Sequence, residues 1–540
     1  MKHSVSSRYN LYNFTDIFAN CDHLSEIPTM NKTVNDSFLK SLPFFQHLTV
    51  IIGGTLLLLS ILTIFTNSIA LPFIILIGSV GGLFIIQYPK RMFFLMVVLR
   101  IVLDLGHSLP YKVGGLNLLA LYSGLSIVLF TIFGVLRIKN DIEHNPLFHP
   151  FVWFVVILIF AAIRSYQPRF MIDEFLRLYG SPLVLLVGCS LLKQKGDAQK
   201  LLFFMMLAGI PCLLSGIYAY FDGQMSRLTL QNEKRLMGSY ENLRLASLMS
   251  FFFAHIGLYW FINTKNKLKK SLCFLYFLIA TLFLFLTKTR ATMLIYIMSF
   301  SIFLWLTNRK TPVYFGFFCI LTIILTNANI QDRFKDLYLI FVYVQDNNID
   351  LDTMAKLGSG RYGLWSTSFE QFLEGSIAEV ILGWGYGYHY VFTRANYGPF
   401  VNVQGGFVDV HNGVLRTLYQ TGIVGMLLFH GMMLIVARYG FNLSKNAKTS
   451  LNRDLGALCV GITVGLLINQ GMSNGINNRV TPGWCFWAIG AAVLIAHREQ
   501  EDEDDDLTND SQIPQRQPVV FPINKITRPQ EKVNPFNLNS

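Results

Sequence analysis

The residues best placed for chemistry are His411-Asn412, followed after nine residues by Gly422-Ile423-Val424-Gly425. On one continuous helix opening at His411, about 100° per residue puts Gly422 about 20° from the histidine around the axis and Gly425 about 40° the other way. All three would then share a face. Histidine titrates nearest neutrality and can take a proton from an attacking hydroxyl. The glycines would let a neighbouring helix or a lipid chain approach closely below it. A histidine at a helix end also serves as an interfacial or hydrogen-bonding group, and Asp409, two residues earlier, would either orient the ring or cap the helix.

Arginines form the second group. Arg290, in Arg290-Ala-Thr-Met-Leu294, and Arg235, in Arg235-Leu-Met-Gly238-Ser-Tyr-Glu-Asn242, each stand just before an apolar run, and Arg361 lies in the longest connection. A guanidinium keeps its charge and presents a planar fork to paired oxygens, which suits a diphosphate. Such residues can equally snorkel or pair with carboxylates. Asp350-Leu-Asp352 formally reads as a DxD element that would hold a divalent ion for a diphosphate. Carboxylates one residue apart are also common in polar loops, and the arginines make a metal unnecessary, so neither metal nor cofactor is expected. Arg100 and Asp104, i and i+4 in an apolar run, would satisfy one another in a bilayer or contact substrate.

The framework that positions these groups is a membrane one. Of 540 residues, 52% are hydrophobic and only 14% charged, against about 25% charged in soluble domains; mean hydropathy is +0.44. Apolar runs fall at 48–66, 69–88, 92–109, 115–136, 149–164, 179–193, 200–221, 244–263, 271–288, 291–307, 312–327, 412–438, 455–471 and 481–497. They predict about fourteen spanning helices and exclude a soluble enzyme with one anchor. The net charge of +12 resides mostly in short connections, with clusters such as Lys90-Arg91, Lys265 to Lys270, Arg309-Lys310 and Lys445 to Arg453 in every second one. The positive-inside rule then places both termini in the cytosol and leaves no nucleic-acid site to read. Arg164, Arg169, Arg177, Arg227, Arg235, Arg244, Arg290, Arg361 and Arg394 stand on the outer side against that bias, which a shared anionic ligand would explain. The seven cysteines show no CxxC spacing and lie almost entirely in apolar runs, against a disulfide framework or zinc site.

The chain therefore reads as an all-α polytopic membrane protein in five parts. Residues 1–46 form a polar cytosolic segment without a cleavable-signal pattern; 47–326 hold helices one to eleven; 327–410 form a long, partly helical outer loop; 411–497 hold the last three helices; 498–540, with the run Glu501 to Asp506, form an acidic tail expected to be disordered. A loop this long is usually functional or disordered. From Gly360 to Leu373 it has apolar residues at helical spacing, predicting an amphipathic helix on the outer bilayer surface. Gly383-Trp384-Gly385-Tyr386-Gly387-Tyr388 would form either a surface on which sugars stack or a turn packed on the helices beneath.

The pattern H[N/S/Q]-x9-G-x-x-[G/T/Y] is the signature of O-antigen ligases, and the sequence resembles that family, with Wzy-type O-antigen polymerases as its relatives. Arg290 to Leu294 fits the family's R-x3-L element, Arg235 to Asn242 looks like its R-x-x-G…N stretch, and Gly358-Ser-Gly-Arg361, Trp365 and Gly383-Trp-Gly385 resemble its long-loop pattern. The resemblance runs from Arg235 to Gly425. It implies a metal-independent glycosyltransferase with a GT-C-like fold in the bacterial inner membrane. Such an enzyme moves a glycan from a polyprenyl (undecaprenyl) diphosphate carrier to an acceptor hydroxyl on the periplasmic face. His411 would be the general base and Arg290 the catalytic cation at the diphosphate, with Arg235, Arg361, Asn412, Gly422 and Gly425 binding substrate. A ligase takes a lipid A-core sugar or similar acceptor, whereas a polymerase takes another lipid-linked glycan. A transporter of lipid-linked glycan would also want arginines, but near the bilayer midplane and with paired repeats. The partners expected are the donor, a lipid or glycan acceptor and membrane lipids.

Overall fold

In a bilayer every backbone polar group must be satisfied within the protein, so long apolar runs fold as helices. The computed structural model describes residues 88–105, 112–113, 116–137, 142–166, 168–223, 226–227, 234–238, 240, 242–309, 361–389, 409–473, 475–476 and 480–512. The runs predicted at 48–66, 69–88 (apart from Tyr88) and 312–327 lie outside them, as do segment 1–46, Asp350 to Asp352, Arg394, Glu241 and the end of the tail.

The remaining runs all coincide with helices: α1 (Pro89–Leu103), α2 (Leu118–Arg137), α3 (Phe148–Ile163), α4 (Pro168–Leu191), α5 (Asp197–Phe221), α6 (Leu243–Asn263), α7 (Lys267–Leu286), α8 (Arg290–Leu306), α11 (Gly413–Asn446), α12 (Ser450–Met472) and α13 (Val480–Gln512). Between α8 and α11 lie the shorter α9 (Arg361–Leu373) and α10 (Ile377–Leu382). Two antiparallel hairpins of two residues a strand, β1 (Lys112–Val113) with β2 (Leu116–Asn117) and β3 (Ser226–Arg227) with β4 (Lys234–Arg235), complete the described elements. Among the described residues seven helices are long and apolar enough to cross a membrane.

The core is built by α13 against α4 and α5, α11 against α12 and α3, and α8 against α12, with Trp484 and Trp487 of α13 fully buried. Small residues allow close helix contact. A Cβ on Gly456 of α12 would lie 2.3 Å from the Gly440 carbonyl oxygen of α11, and one on Gly461 2.6 Å from that of Ser299 on α8. The opposite signature marks α7, where Leu268, Leu272, Leu275 and Leu282 form an exposed stripe at helical spacing, a face made for acyl chains.

Three expectations, for the helix wheel, the tail and the amphipathic helix, change in detail, and the two readings of the Gly383 stretch reduce to one. The helix-wheel argument for His411, Gly422 and Gly425 fails. His411 precedes the helix in the left-handed region (φ 53°), and Gly422 (φ 65°, ψ −171°) breaks α11 into two helices across a kink. The broken ladder is repaired by the long loop: the Trp384 and Gly385 amides donate to the Tyr419 carbonyl at 2.8 and 3.3 Å. A Cβ on Gly422 would fall 2.2 Å from the Ile381 carbonyl oxygen, so this glycine admits the end of α10. Gly425 faces Ile157 of α3, a neighbouring helix as expected. The Gly383 to Tyr388 stretch is a packed turn. Tyr386 is fully buried and its hydroxyl donates to the Leu158 carbonyl at 3.1 Å, while Trp384 and Tyr388 stay half-buried. The tail does not loosen at Arg498, because α13 continues to Gln512. Arg498 donates to the Cys189 and Leu192 carbonyls, Glu499 accepts from the Gly196 amide, and Gln500 donates to the Asn446 carbonyl. Those contacts anchor its first turn against α4 and α11.

The amphipathic helix forms as α9, but it lies on α11. Leu364 and Phe372 are buried, and the Trp365 indole donates to the Val410 carbonyl at 3.0 Å. Phe369 and Leu373 remain exposed.

Candidate active site

Asn412 begins the site because it caps α11. Its side-chain oxygen accepts from the Val414 and Leu415 amides at 3.0 and 3.1 Å, satisfying donors that a helix start leaves over. Its Nδ2 donates to the Gly471 carbonyl at 2.8 Å, and the Gly413 amide donates to the Ser473 carbonyl at 3.0 Å. The loop from Asp409 to Asn412 is thereby clamped to the end of α12. Asn412 thus has a structural task that the resemblance did not assign.

Below the loop sits a charge cluster. Arg416, one turn into α11 and fully buried, donates to Asp409 Oδ2 at 2.9 Å and pairs with Glu174 of α4. Glu174 also accepts from Gln420 at 3.1 Å and from Arg177 at 3.2 Å. His389, buried after α10, brings Nε2 to 3.9 Å from Asp409 Oδ1. Burial pushes the Asp409 carboxyl up, but the fields of Arg416 first, then His389, His411 and Arg244, outweigh it and hold the group well below the usual carboxylate range. Burial, reinforced by Arg416 and opposed by Asp409 and Glu174, lowers His389 to about 4. The cluster therefore holds Asp409 as an anion and His389 neutral near pH 7.

His411 meets Arg244, whose Nη1 lies 3.0 Å from the ring Nδ1. Arg244 is in the first turn of α6, capped by Asn242, whose side chain accepts from the Leu245 amide at 2.9 Å. That turn also reaches α8, since Ser247 Oγ and Thr292 Oγ1 are 2.9 Å apart. Arg290 opens α8 after a tight turn through Lys288 (φ 52°). Arg235 sits in β4 and is held beside that turn by the Leu236 amide donating to the Leu286 carbonyl at 3.0 Å. Burial lowers the Arg235 pKa and Arg290 lowers it further, so the two guanidinium groups are near enough to repel. Like charges gathered in this way favour an anion between them.

The sequence-predicted residues are thus brought together in two groups, Arg235 with Arg290 and His411 with its cap Asn412, joined through the first turn of α6. Arg361 starts α9 one turn before Trp365, whose indole holds Val410 beside His411; its side chain, like those of Arg169 and Arg227, lies outside the described residues. Two other outer arginines are paired with carboxylates, Arg164 with Glu379 and Arg177 with Glu174, each at 3.2 Å. Arg100 and Asp104 pair at 3.2 Å, both buried, as the structural reading had it. Sequence reasoning passed over Arg416, Glu174 and His389. Arg416 did carry a signal, an ionisable residue within an apolar run.

A helical protein with membrane-spanning helices, whose N-terminal turns set Arg244 against a histidine and Arg290 near Arg235, is the class defined so far. Residues 275–430 match the family model described as O-antigen ligase (Wzy_C), a stretch holding Arg290, Arg361, His411, Asn412 and both glycines. The O-antigen ligase/Wzy superfamily resemblance is supported over that segment, and with it a glycosyltransferase-like ligase or polymerase. No curated protein matches the chain.

Proposed function

We propose that this protein is an O-antigen ligase-like glycosyltransferase that needs no metal and moves a glycan from a polyprenyl diphosphate to an acceptor hydroxyl. The observation that carries this reading is the approach of Arg235 to Arg290 at the end of the bundle where Arg244 meets His411. The acceptor oxygen attacks the anomeric carbon and its proton passes to His411. The anomeric C–O bond breaks, and the electron pair leaves with the diphosphate, whose growing charge Arg290 and Arg235 offset. Arg361, the first residue of α9, would add a further cation for the substrate. Gly422 and Gly425 act by admitting α10 and α3 close to α11. The reading extends to about fourteen spanning helices in a GT-C-like arrangement, both termini cytosolic and the His411 end periplasmic.

A polymerase would use the same donor and leaving group and differ only in taking a lipid-linked glycan as acceptor. Purified protein is to be given a polyprenyl diphosphate-linked glycan and, separately, lipid A-core and lipid-linked acceptors. Transfer to the first acceptor with release of polyprenyl diphosphate is expected. Transfer only to the second makes it a polymerase, and no release with either acceptor overturns the enzyme reading.

A further inference from the structure

The Arg244–His411 contact fixes more than distance. A guanidinium has N–H donors and no acceptor, so the ring nitrogen 3.0 Å from Arg244 Nη1 accepts through its lone pair. Nδ1 is therefore unprotonated, and the neutral ring carries its hydrogen on Nε2. In this state neither nitrogen can take a proton: Nε2 already holds one, and Nδ1 is engaged by a cation. The helical histidines are set the other way. His255 and His430 place Nδ1 at 2.8 and 2.9 Å from the carbonyls of Phe251 and Met426, four residues earlier, so there Nδ1 is the donor. His411 lies outside α11, and its tautomer comes from Arg244.

We propose that Arg244 gates His411: at rest its guanidinium occupies the proton-accepting nitrogen, and a diphosphate-class anion at Arg290 and Arg235 draws it away. The identity of that anion rests on the function proposed above. Arg244 precedes Ser247 by one turn, Ser247 bonds Thr292 at 2.9 Å, and Thr292 follows Arg290 by two residues. The turn of α6 that carries Arg244 against His411 is thus bound to the turn of α8 that carries Arg290. Charged oxygens are stronger partners for a guanidinium than a neutral imidazole. Once Arg244 turns, the acceptor proton can pass to Nδ1, leaving an imidazolium protonated at both nitrogens. Deprotonation of the acceptor is then coupled to the presence of donor.

Among the described residues, the other charged groups around the ring do not supply this coupling. Asp409, from the same loop, favours the imidazolium but is engaged by Arg416 of α11. His389 and Glu174 act on the ring only at second hand, through Asp409 and Arg416.

The test uses the full chain, labelled with carbon-13 and nitrogen-15 histidine, in lipid nanodiscs. Of the 11 histidines, His411 is assigned as the resonance missing from His411→Gln. In native protein without anion the Nδ1 shift should be that of a bare, hydrogen-bonded nitrogen, and methylenediphosphonate should change it. Arg244→Gln should raise the ring pKa by about one pH unit, since a neighbouring cation is removed. Arg244→Lys, which keeps charge and donor, should stay near native. Methylenediphosphonate should raise the native value by more than that of Arg244→Gln, because only the native chain has a guanidinium to withdraw. An unchanged Nδ1 shift on adding the anion to native protein overturns the gate, as does an equal ring pKa in native and Arg244→Gln. The native titration decides even if the Gln variant does not insert. These readouts involve no glycan transfer, so a failed transfer assay with the expected shifts would reject the donor and keep the gate.

Discussion

The two ends of the helix bundle use their charges differently. At the end away from His411, ion pairs tie helices together: Lys90 of α1 to Asp197 of α5 at 2.8 Å, and Arg309 after α8 to Asp454 of α12 at 3.2 Å, with Asn263 of α6 also donating to Asp454 at 3.0 Å. Arg498 holds the last carbonyls of α4, where the helix dipole favours a cation. A cavity of about 310 Å³ also lies there, lined by Arg309, Lys445, Arg453 and Asp454 among others, far along the bundle from the histidine. At the His411 end, one arginine bridges two carboxylates, two arginines approach each other, and a fourth is turned on a histidine. The first pattern is that of staples. The second combines a buried foundation around Arg416 with arginines set close to one another and to a histidine.

The widest separation between these patterns should appear at the foundation. Arg416→Met leaves Glu174 and Asp409 buried without their shared cation, and losing one partner of a buried ion cluster costs about 3–5 kcal/mol. A large fall in unfolding temperature in detergent is expected, partly restored by adding Glu174→Gln. A variant as stable as native would reduce the cluster to another staple.

Next in size is the chemistry. His411→Gln should slow glycan transfer by at least about a hundredfold, in line with the loss of a general base, with the unfolding temperature nearly unchanged. Retention of most activity would move the proton acceptor elsewhere in the site.

The pH dependence of stability should follow. His389 has a folded pKa of about 4, below the ordinary value of 6.5. The unfolded chain therefore binds a proton between those values while the folded chain does not, and stability falls as pH drops through that window. The loss at pH 5 is on the order of 2 kcal/mol, and His389→Gln should flatten the slope between pH 7 and 5. Asp409 does not interfere, since a depressed carboxylate withdraws its stabilisation only below about pH 4. The smallest effect belongs to the opposite end. Lys90→Gln should cost less than about 1 kcal/mol, because the pair is partly solvated and Lys200 stands 3.8 Å from the same carboxylate. A larger loss would show that staples too are built like the foundation.

Much of this molecule follows from local sequence. Every predicted apolar run that falls within the described residues is a helix, since segments of that length and hydropathy have no other way to satisfy their backbone in lipid. The Arg100–Asp104 pair and the α9 helix were legible for the same reason, because i, i+4 spacing is a local property. Arg290, Arg235 and His411 were singled out from residue type and spacing, and the structure describes each of them at the candidate site.

What only the tertiary structure decided are relations between segments far apart in the chain. The break at Gly422 exists because the loop around Gly383 supplies the donors that the broken helix needs, across 39 positions of sequence. Glu174 and His389 matter because α4 and the stretch after α10 meet Arg416, and no spacing along the chain encodes that meeting. The tautomer of His411 is decided by Arg244, 167 residues earlier. Hydropathy is summed along a segment, so the sequence determines which segments are helices. A buried charge is stabilised only by whatever partner the fold brings within a few ångströms, and that the fold alone decides.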